Sequence, residues 1–382
     1  MKHLMLGVMA AATMWGQLQP AVPSTVGMSA ERLERAANLL AAEVEKGDIL
    51  SASILVARKE KIVLHKGWGK LHPRAGAPAT QPDTIYLLAS ISKPITVAGL
   101  MLLVEEGKVL LDEPASRYLP ELKGGNRGLI RVRDLLTHTS GLPDMLPENT
   151  DLRRAHAPLS EFVRHTFTTP LLYKPGTSFR YQSKGTLLAA EIVERISGMR
   201  LRDFLAQRLF APLGMKDTAL GLGGKQIEDS AWCQTGGGNR TDQERFGANS
   251  PYWRDMGHPW GGVHSTTSDL ARLLQALLNG GTYAGRTVFA KTTVDEMIRD
   301  QNTKIQAPWG LGWGLRNSLV WCYFGELGSP RTFGHSGATG TVAWADPEND
   351  LLAVILTTRP SGMDSGRLLR SVSNAVAASV VR

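Results

Sequence analysis

A chain of 382 residues with 42% hydrophobic and 20% charged side chains can bury a large core, in two domains or in one domain with a large insertion, and it is not disordered. Its formal charge of +8 is spread along the chain without a basic block or a nucleic-acid motif, so it reads as solubility or attraction to an anionic envelope. Only Cys233 and Cys322 occur, which excludes a disulfide framework and cysteine-ligated metal; two separate thiols are expected, with pairing left open.

Met1-Lys2-His3 followed by the apolar run Leu4 to Gly16 has the pattern of a secretory signal and is short for a membrane span. Residues 1–24 are therefore expected to direct export to the periplasm or exterior, with Gln19-Pro20-Ala21 and Val22-Pro23-Ser24 as candidate cleavage regions. An uncleaved anchor is the alternative. After Ser29, the residues Leu33, Ala36, Ala37, Leu40 and Val44 form one helical face that Gly47 ends. Ala52 to Ala57 reads as a strand, Lys59-Glu60-Lys61 as a turn, and Ile62 to Leu64 as the partner strand, closed by Gly67-Trp68-Gly69. Pro73 to Pro82 is a loop that leads to Leu88-Ala89-Ser90-Ile91-Ser92-Lys93-Pro94.

At that stretch an apolar run ends in Ser-x-x-Lys and a helix begins, with Val97, Leu100, Met101 and Val104 on its buried face and Gly107 as its stop. A lysine three residues after a serine projects from the same face, so the two side chains can meet. Serine is a weak nucleophile until a base takes its proton, and lysine is a base only if burial or a neighbouring cation keeps it neutral. On its own the pattern reads first as a helix cap beside a solvated lysine.

From Gly107 to about Trp260 short helices alternate with loops rich in Pro and Gly. Leu187, Leu188, Glu191, Ile192 and Ile196 mark a helix behind Tyr181-Gln182-Ser183, ended by Gly198, and Gly221 to Gly247 reads as a mobile loop beside the site. Thr267 is expected to cap a helix through Ala271, Leu274 and Leu278. Gly310 to Leu315, Val342 to Trp344 and Leu352 to Thr357 are strand-like, Asp346 to Asp350 is a hairpin turn, and Ser371 to Val381 is a final amphipathic helix. An antiparallel α/β sheet domain is expected over residues 25–106 and 261–382, flanked by the N- and C-terminal helices and interrupted by a helical region over 107–260.

Ser90-x-x-Lys93, Tyr181-Gln182-Ser183 and His335-Ser336-Gly337 follow in the order used by three-motif serine acyl-transferases. With Asp134 to Leu142, Lys174-Pro175-Gly176, Pro212-Leu213-Gly214-Met215 and Gly261 to Thr266, they make nearly everything after residue 28 resemble the β-lactamase-related serine hydrolases. That group includes class C β-lactamases, D-alanyl-D-alanine carboxypeptidases, D-aminopeptidases and family VIII carboxylesterases. The resemblance implies a β-lactamase/transpeptidase-like fold, no cofactor or metal, and a small ester, amide or D-peptide substrate. It also implies an acyl-Ser90 intermediate, with Lys93 and Tyr181 as proton-transfer partners and the N–H groups of Ser90 and Ala338 as the oxyanion hole.

Within that frame Tyr181 is expected to have a lowered pKa in a cationic pocket, and Ser183 to donate to substrate or to Lys93. His335, Ser336 and Gly337 stand where β-lactamases carry Lys-Thr-Gly, and a neutral histidine donor there attracts a substrate carboxylate weakly. Ester or D-amino-acid amide hydrolysis is therefore expected to exceed β-lactam hydrolysis. A true β-lactamase, a penicillin-binding protein and an inert scaffold of the same fold are the alternatives. His138 is expected to be scaffold, and Trp253, Trp260, Trp309 and Trp313 either line an acyl pocket or pack the core.

Overall fold

The computed structural model describes residues 16–235 and 240–381. Its centre is a seven-stranded sheet made of β1 (Gln19–Pro20), β2 (Ser51–Arg58), β3 (Lys61–Gly69), β4 (Gly314–Leu315), β5 (Phe333–Gly337), β6 (Thr341–Asp346) and β7 (Leu351–Thr357). The spatial order is β1-β3-β2-β7-β6-β5-β4, antiparallel throughout except that β1 runs parallel to β3. The early hairpin and the late strands thus meet at the β2–β7 pair, where Ile54 faces Ile355 and Val56 faces Ala353.

Side chains that alternate along these strands divide the core into two layers. Ile54, Val56, Trp344 and Ile355 point to α1 (Ala30–Glu45) and to the C-terminal helix Arg367–Ala377. Leu55, Ala57, Ala345 and Val354 point to the other face, toward Ile95, Leu270 and Leu274. On the first face, Ser29 Oγ caps α1 by accepting from the Arg32 N–H at 3.3 Å, and Trp344 Nε1 donates to Ser373 Oγ at 3.1 Å. The C-terminal helix starts at Arg367, four residues earlier than its apolar pattern suggests.

On the second face lie α2 (Ser92–Glu105), α3 (Lys184–Ser197) and α4 (Thr267–Leu278). Helix α2 is buried all round from Ser92 to Leu103, which a one-faced pattern does not anticipate; α3 covers the side that would otherwise meet water. Helix α4 is capped by Thr266, whose Oγ1 accepts from the Asp269 N–H at 3.2 Å. The expected cap, Thr267, instead donates to the Pro82 carbonyl at 2.9 Å. Helices, most of them short, alternate with loops over 107–260, and the core residues Ile130, Leu135, Leu188 and Phe204 of this region are continuous with the sheet's second face.

An expected loop, an expected strand and a boundary differ. Of Gly221 to Gly247, the described part contains a helix at Arg240–Arg245, and residues 232–234 are held to the body by Trp232 N–H to Leu71 O at 2.7 Å and Gln234 N–H to Thr358 O at 2.8 Å. Of Gly310 to Leu315 only Gly314 and Leu315 pair as strand. Residues 1–15 of the expected signal lie outside the described residues. Leu18 is buried and β1 joins the sheet, so the folded body begins upstream of residue 24. Among the described residues no helix is long and apolar enough to cross a membrane.

Candidate active site

Ser90 is delivered by a short strand, Tyr86–Leu87, that pairs with Val263–Ser265. Tyr86 anchors it to β2 through Ser51 Oγ at 2.6 Å and Ser53 Oγ at 3.1 Å. The Leu88 N–H donates to Val263 O at 2.9 Å, while Leu88 O accepts from Thr341 Oγ1 at 2.9 Å. Ala89 then takes a left-handed conformation, φ 48°, and Ser90 follows on one tight turn, Ala89–Ile91, that runs into α2. A non-glycine residue there stores about 1 kcal/mol or more, which the anchored flanks sustain. The hydroxyl of Ser90 caps no backbone group. It stands 3.1 Å from Lys93 Nζ.

Lys93 is 2% exposed, and its amine also donates to the Trp260 carbonyl at 3.2 Å. Burial pushes its pKa down to about 8, with the Asp144 carboxylate opposing the shift. A neutral amine with one N–H held by Trp260 O can present its lone pair to Ser90. Tyr181 stands over Lys93, the amine 4.7 Å from the ring centroid, with the Ser90 hydroxyl near enough to influence its phenol. Contrary to expectation the phenol's pKa is raised well above its ordinary value: burial outweighs the lowering influence of the nearby Ser90 hydroxyl, and Asp144 adds to the rise. Tyr181 is a protonated donor here, not a phenolate.

His335 Nε2 is 3.4 Å from the Tyr181 hydroxyl, and its Nδ1 is 2.7 Å from the Ser336 carbonyl. A carbonyl only accepts, so Nδ1 carries the proton and Nε2 is left to accept from Tyr181. The ring is therefore an acceptor toward the site, where a donor was expected. Burial, aided by Lys93, lowers its pKa to about 3, which keeps it neutral as anticipated.

The remaining motif residues divide. Gly337 approaches Leu88 so closely that a Cβ would lie 2.1 Å from Leu88 O, which ties β5 to the Ser90 turn. Ala338 follows at the exposed end of β5. Ser336 faces away: its cross-strand neighbour Val342 belongs to the layer under the terminal helices, and its Oγ accepts from the Tyr323 N–H at 3.0 Å. Ser183 donates to Asp144 Oδ1 at 2.6 Å instead of to Lys93. His138 accepts from the Gln182 N–H through Nδ1 at 3.2 Å and packs against Tyr181 and Trp309, which fits a scaffold role. Trp253, Trp260, Trp309 and Trp313 are all buried, and Trp309 lies against the rings of both Tyr181 and His335.

Three residues at the site escaped the sequence reading. Asp144 closes the segment after Leu142-Pro143. Lys184, buried on α3 with its amine 3.9 Å from the Trp260 ring centroid, has a pKa lowered to about 7 by burial. It falls on the Leu187–Leu188 stripe, so a lysine at a core position was the available signal. Trp321, at φ 55°, sets its ring 5.5 Å from that of Tyr181 and had no signal. A cavity of about 780 Å³ lined by His156, Arg200, Lys225 and Tyr252 lies elsewhere and includes none of the three motifs.

Comparison with known proteins shows the family and the fold. The family model described as Beta-lactamase matches residues 36–377. A Salmonella typhimurium (strain LT2) protein named "Putative D-alanyl-D-alanine carboxypeptidase" is 30% identical over 392 residues, covering 94% of this chain and 89% of the relative. Among solved structures, a family VIII carboxylesterase superposes with a TM-score of 0.73 at 20% identity, over 92% of this chain and 99% of that one. The D-amino acid amidase of Ochrobactrum anthropi SV3 gives 0.68 at 24% identity, over 90% and 98%. With a family match across most of its length, on the fold those structures share, the chain belongs to the beta-lactamase family.

Proposed function

We propose that the protein is a serine hydrolase that cleaves a small ester or amide through an acyl-Ser90 intermediate. The observation that carries this is the Ser90 Oγ to Lys93 Nζ approach of 3.1 Å, with the lysine buried and its pKa lowered to about 8. Neutral Lys93 takes the Ser90 proton as Oγ bonds to the substrate carbonyl carbon, and the resulting oxyanion is held by the N–H groups of Ser90 and Ala338. Tyr181 gives its proton to the departing oxygen or nitrogen and regains one from Lys93, so the serine proton ends on the leaving group. Water then attacks the acyl carbon, its proton returns through the same pair to Ser90, and the acid is released. His335 fixes the direction of the Tyr181 hydroxyl. Gln182, Ser183 and Asp144 hold the segment that carries the phenol.

Esters and D-amino-acid amides are the preferred substrates in this reading, because neutral His335 offers no cation to the carboxylate of a β-lactam or stem peptide. The carboxylesterase and the D-amino acid amidase among the similar structures are consistent with it. Export of the mature protein, expected from residues 1–24, is part of the same proposal. Initial rates on short-chain p-nitrophenyl esters, a D-alanine amide and a cephalosporin test the preference. Faster turnover of the ester or the amide is expected, and a cephalosporin rate equal to that of the simple ester would overturn it.

A further inference from the structure

The Trp260 carbonyl that takes an N–H of Lys93 belongs to a turn, residues 258–262, that is itself fastened to α2. The carbonyl before it, Pro259 O, accepts from Thr96 Oγ1 at 2.8 Å, and just past the turn the Val263 N–H donates to Ser92 Oγ at 2.9 Å. Ser92 and Thr96 are both fully buried and stand one helical turn apart, on either side of Lys93 in sequence. A helical threonine commonly donates to the carbonyl one turn back; Thr96 reaches across to another segment. The turn has little slack. The N–H groups of Gly261 and Gly262 both donate to His258 O, at 3.2 and 2.8 Å, and a Cβ at Gly262 would lie 2.8 Å from His258 N. Because a peptide unit is planar, holding Pro259 O fixes the plane that enters Trp260. The Trp260 ring is packed as well, with centroids 6.1 Å from Phe162 and 6.2 Å from Trp253.

We propose that Thr96 is a positioning residue for the proton transfer: by fastening Pro259 O it holds Trp260 O where that carbonyl occupies an N–H of Lys93 and turns the amine lone pair toward Ser90. The inference rests on the acyl-Ser90 reading and adds the element that aims its base. At 3.1 Å from Ser90 Oγ the neutral amine can present either an N–H or its lone pair, and only the lone pair takes the serine proton. Loss of the Thr96 hydroxyl therefore has two consequences. The aim of the amine is lost, so the rate falls even where Lys93 is fully neutral. A carbonyl also accepts more strongly from an ammonium than from an amine, so its retreat removes support for the protonated form and Lys93 gives up its proton at lower pH. The other ionisable groups that bear on Lys93 are Tyr181, its ring centroid 4.7 Å from the amine, with Asp144, Lys184, His138, His258 and His335. Exchanging a hydroxyl for a methyl group at Thr96 removes none of them.

The test is the pH profile of kcat/KM, which reports the free enzyme, for p-nitrophenyl butyrate with the wild-type protein, Thr96→Val and Thr96→Ser. Valine keeps the shape of the side chain without the hydroxyl, and serine keeps the hydroxyl. In Thr96→Val the alkaline plateau is expected to fall at least about tenfold, and the midpoint of the rise to move down by about half a pH unit or more. Thr96→Ser should return the plateau to within about twofold of wild type and restore the midpoint. The direction of the midpoint separates positioning from packing: if Thr96 only filled space, its loss would admit water to Lys93 and the midpoint would move up toward the ordinary lysine value. An upward or unchanged midpoint in Thr96→Val, an undiminished plateau, or a serine variant that behaves like the valine one overturns the inference.

Melting curves accompany the profiles, and if Thr96→Val yields no folded protein, Thr96→Ala, which sets no methyl group against Pro259 O, is held to the same outcomes. Failure of the underlying reading looks different: the wild-type profile would show no rise near pH 8, or Ser90→Ala would hydrolyse the ester at the wild-type rate.

Discussion

Gly337→Ala adds a single methyl group where β5 meets the turn that carries Ser90. The new Cβ would lie 2.1 Å from Leu88 O and 2.3 Å from Thr341 Oγ1, well inside ordinary van der Waals contact. The nearer atom is backbone, so relief requires the strand and the turn to part by about 1 Å; overpacking of this kind costs about 1–3 kcal/mol. Leu88 is two residues from the nucleophile, and a displacement of about 1 Å at a reacting group lowers turnover about 100-fold. Gly362→Ala is the control, because its Cβ meets nothing within 4 Å. Thermal melts and ester hydrolysis read both effects. A Gly337→Ala protein with the melting temperature and kcat/KM of the control would refute the claim that the strand positions Ser90.

The pH dependence of activity follows from Lys93. With its pKa near 8, about a tenth of the amine is neutral at pH 7 and about nine tenths at pH 9, so kcat/KM for a neutral ester should rise about tenfold and then level. Neither His335, near 3, nor Tyr181, pushed upward, titrates inside that range, so a bell centred near pH 6 that flattens in His335→Asn would contradict the assignment. Lys184→Met bears on stability. The folded lysine, at about 7, binds fewer protons than an unfolded one near 10.5, so stability rises with pH across that window and the burial cost is fullest below it. The methionine variant should be more stable by ~3 kcal/mol at pH 7, with the advantage fading toward pH 10. Denaturant titrations at both pH values check this, and an equal or lower stability at pH 7 would show that the buried amine is compensated.

Much of the scaffold was legible because its signals are local. The Leu33 to Leu40 stripe, the short apolar runs of β2 and β7 and the Ser90–Lys93 spacing each need only a few residues of context. Ser336 was legible in principle as well: in a strand, neighbours of His335 point to the opposite face, so the two cannot both serve the site with their side chains. What escaped was tertiary. Asp144 reaches Ser183 only because the loop after His138 folds over the start of α3, and nothing in its neighbours announces that approach. The shift of Tyr181 was misjudged for a related reason. A phenol among lysines suggests acidification, but those lysines lose charge through the same burial that raises the phenol, and desolvation wins for all three groups.

The central claim is a covalent acyl group on Ser90, and the direct measurement is intact mass followed by peptide mapping after acid quenching during turnover of a slow ester. One acyl mass should appear per protein, on the peptide containing Ser90, and should be absent from Ser90→Ala. Sustained ester hydrolysis by Ser90→Ala at the wild-type rate, or an acyl mass on a different residue, would contradict the account.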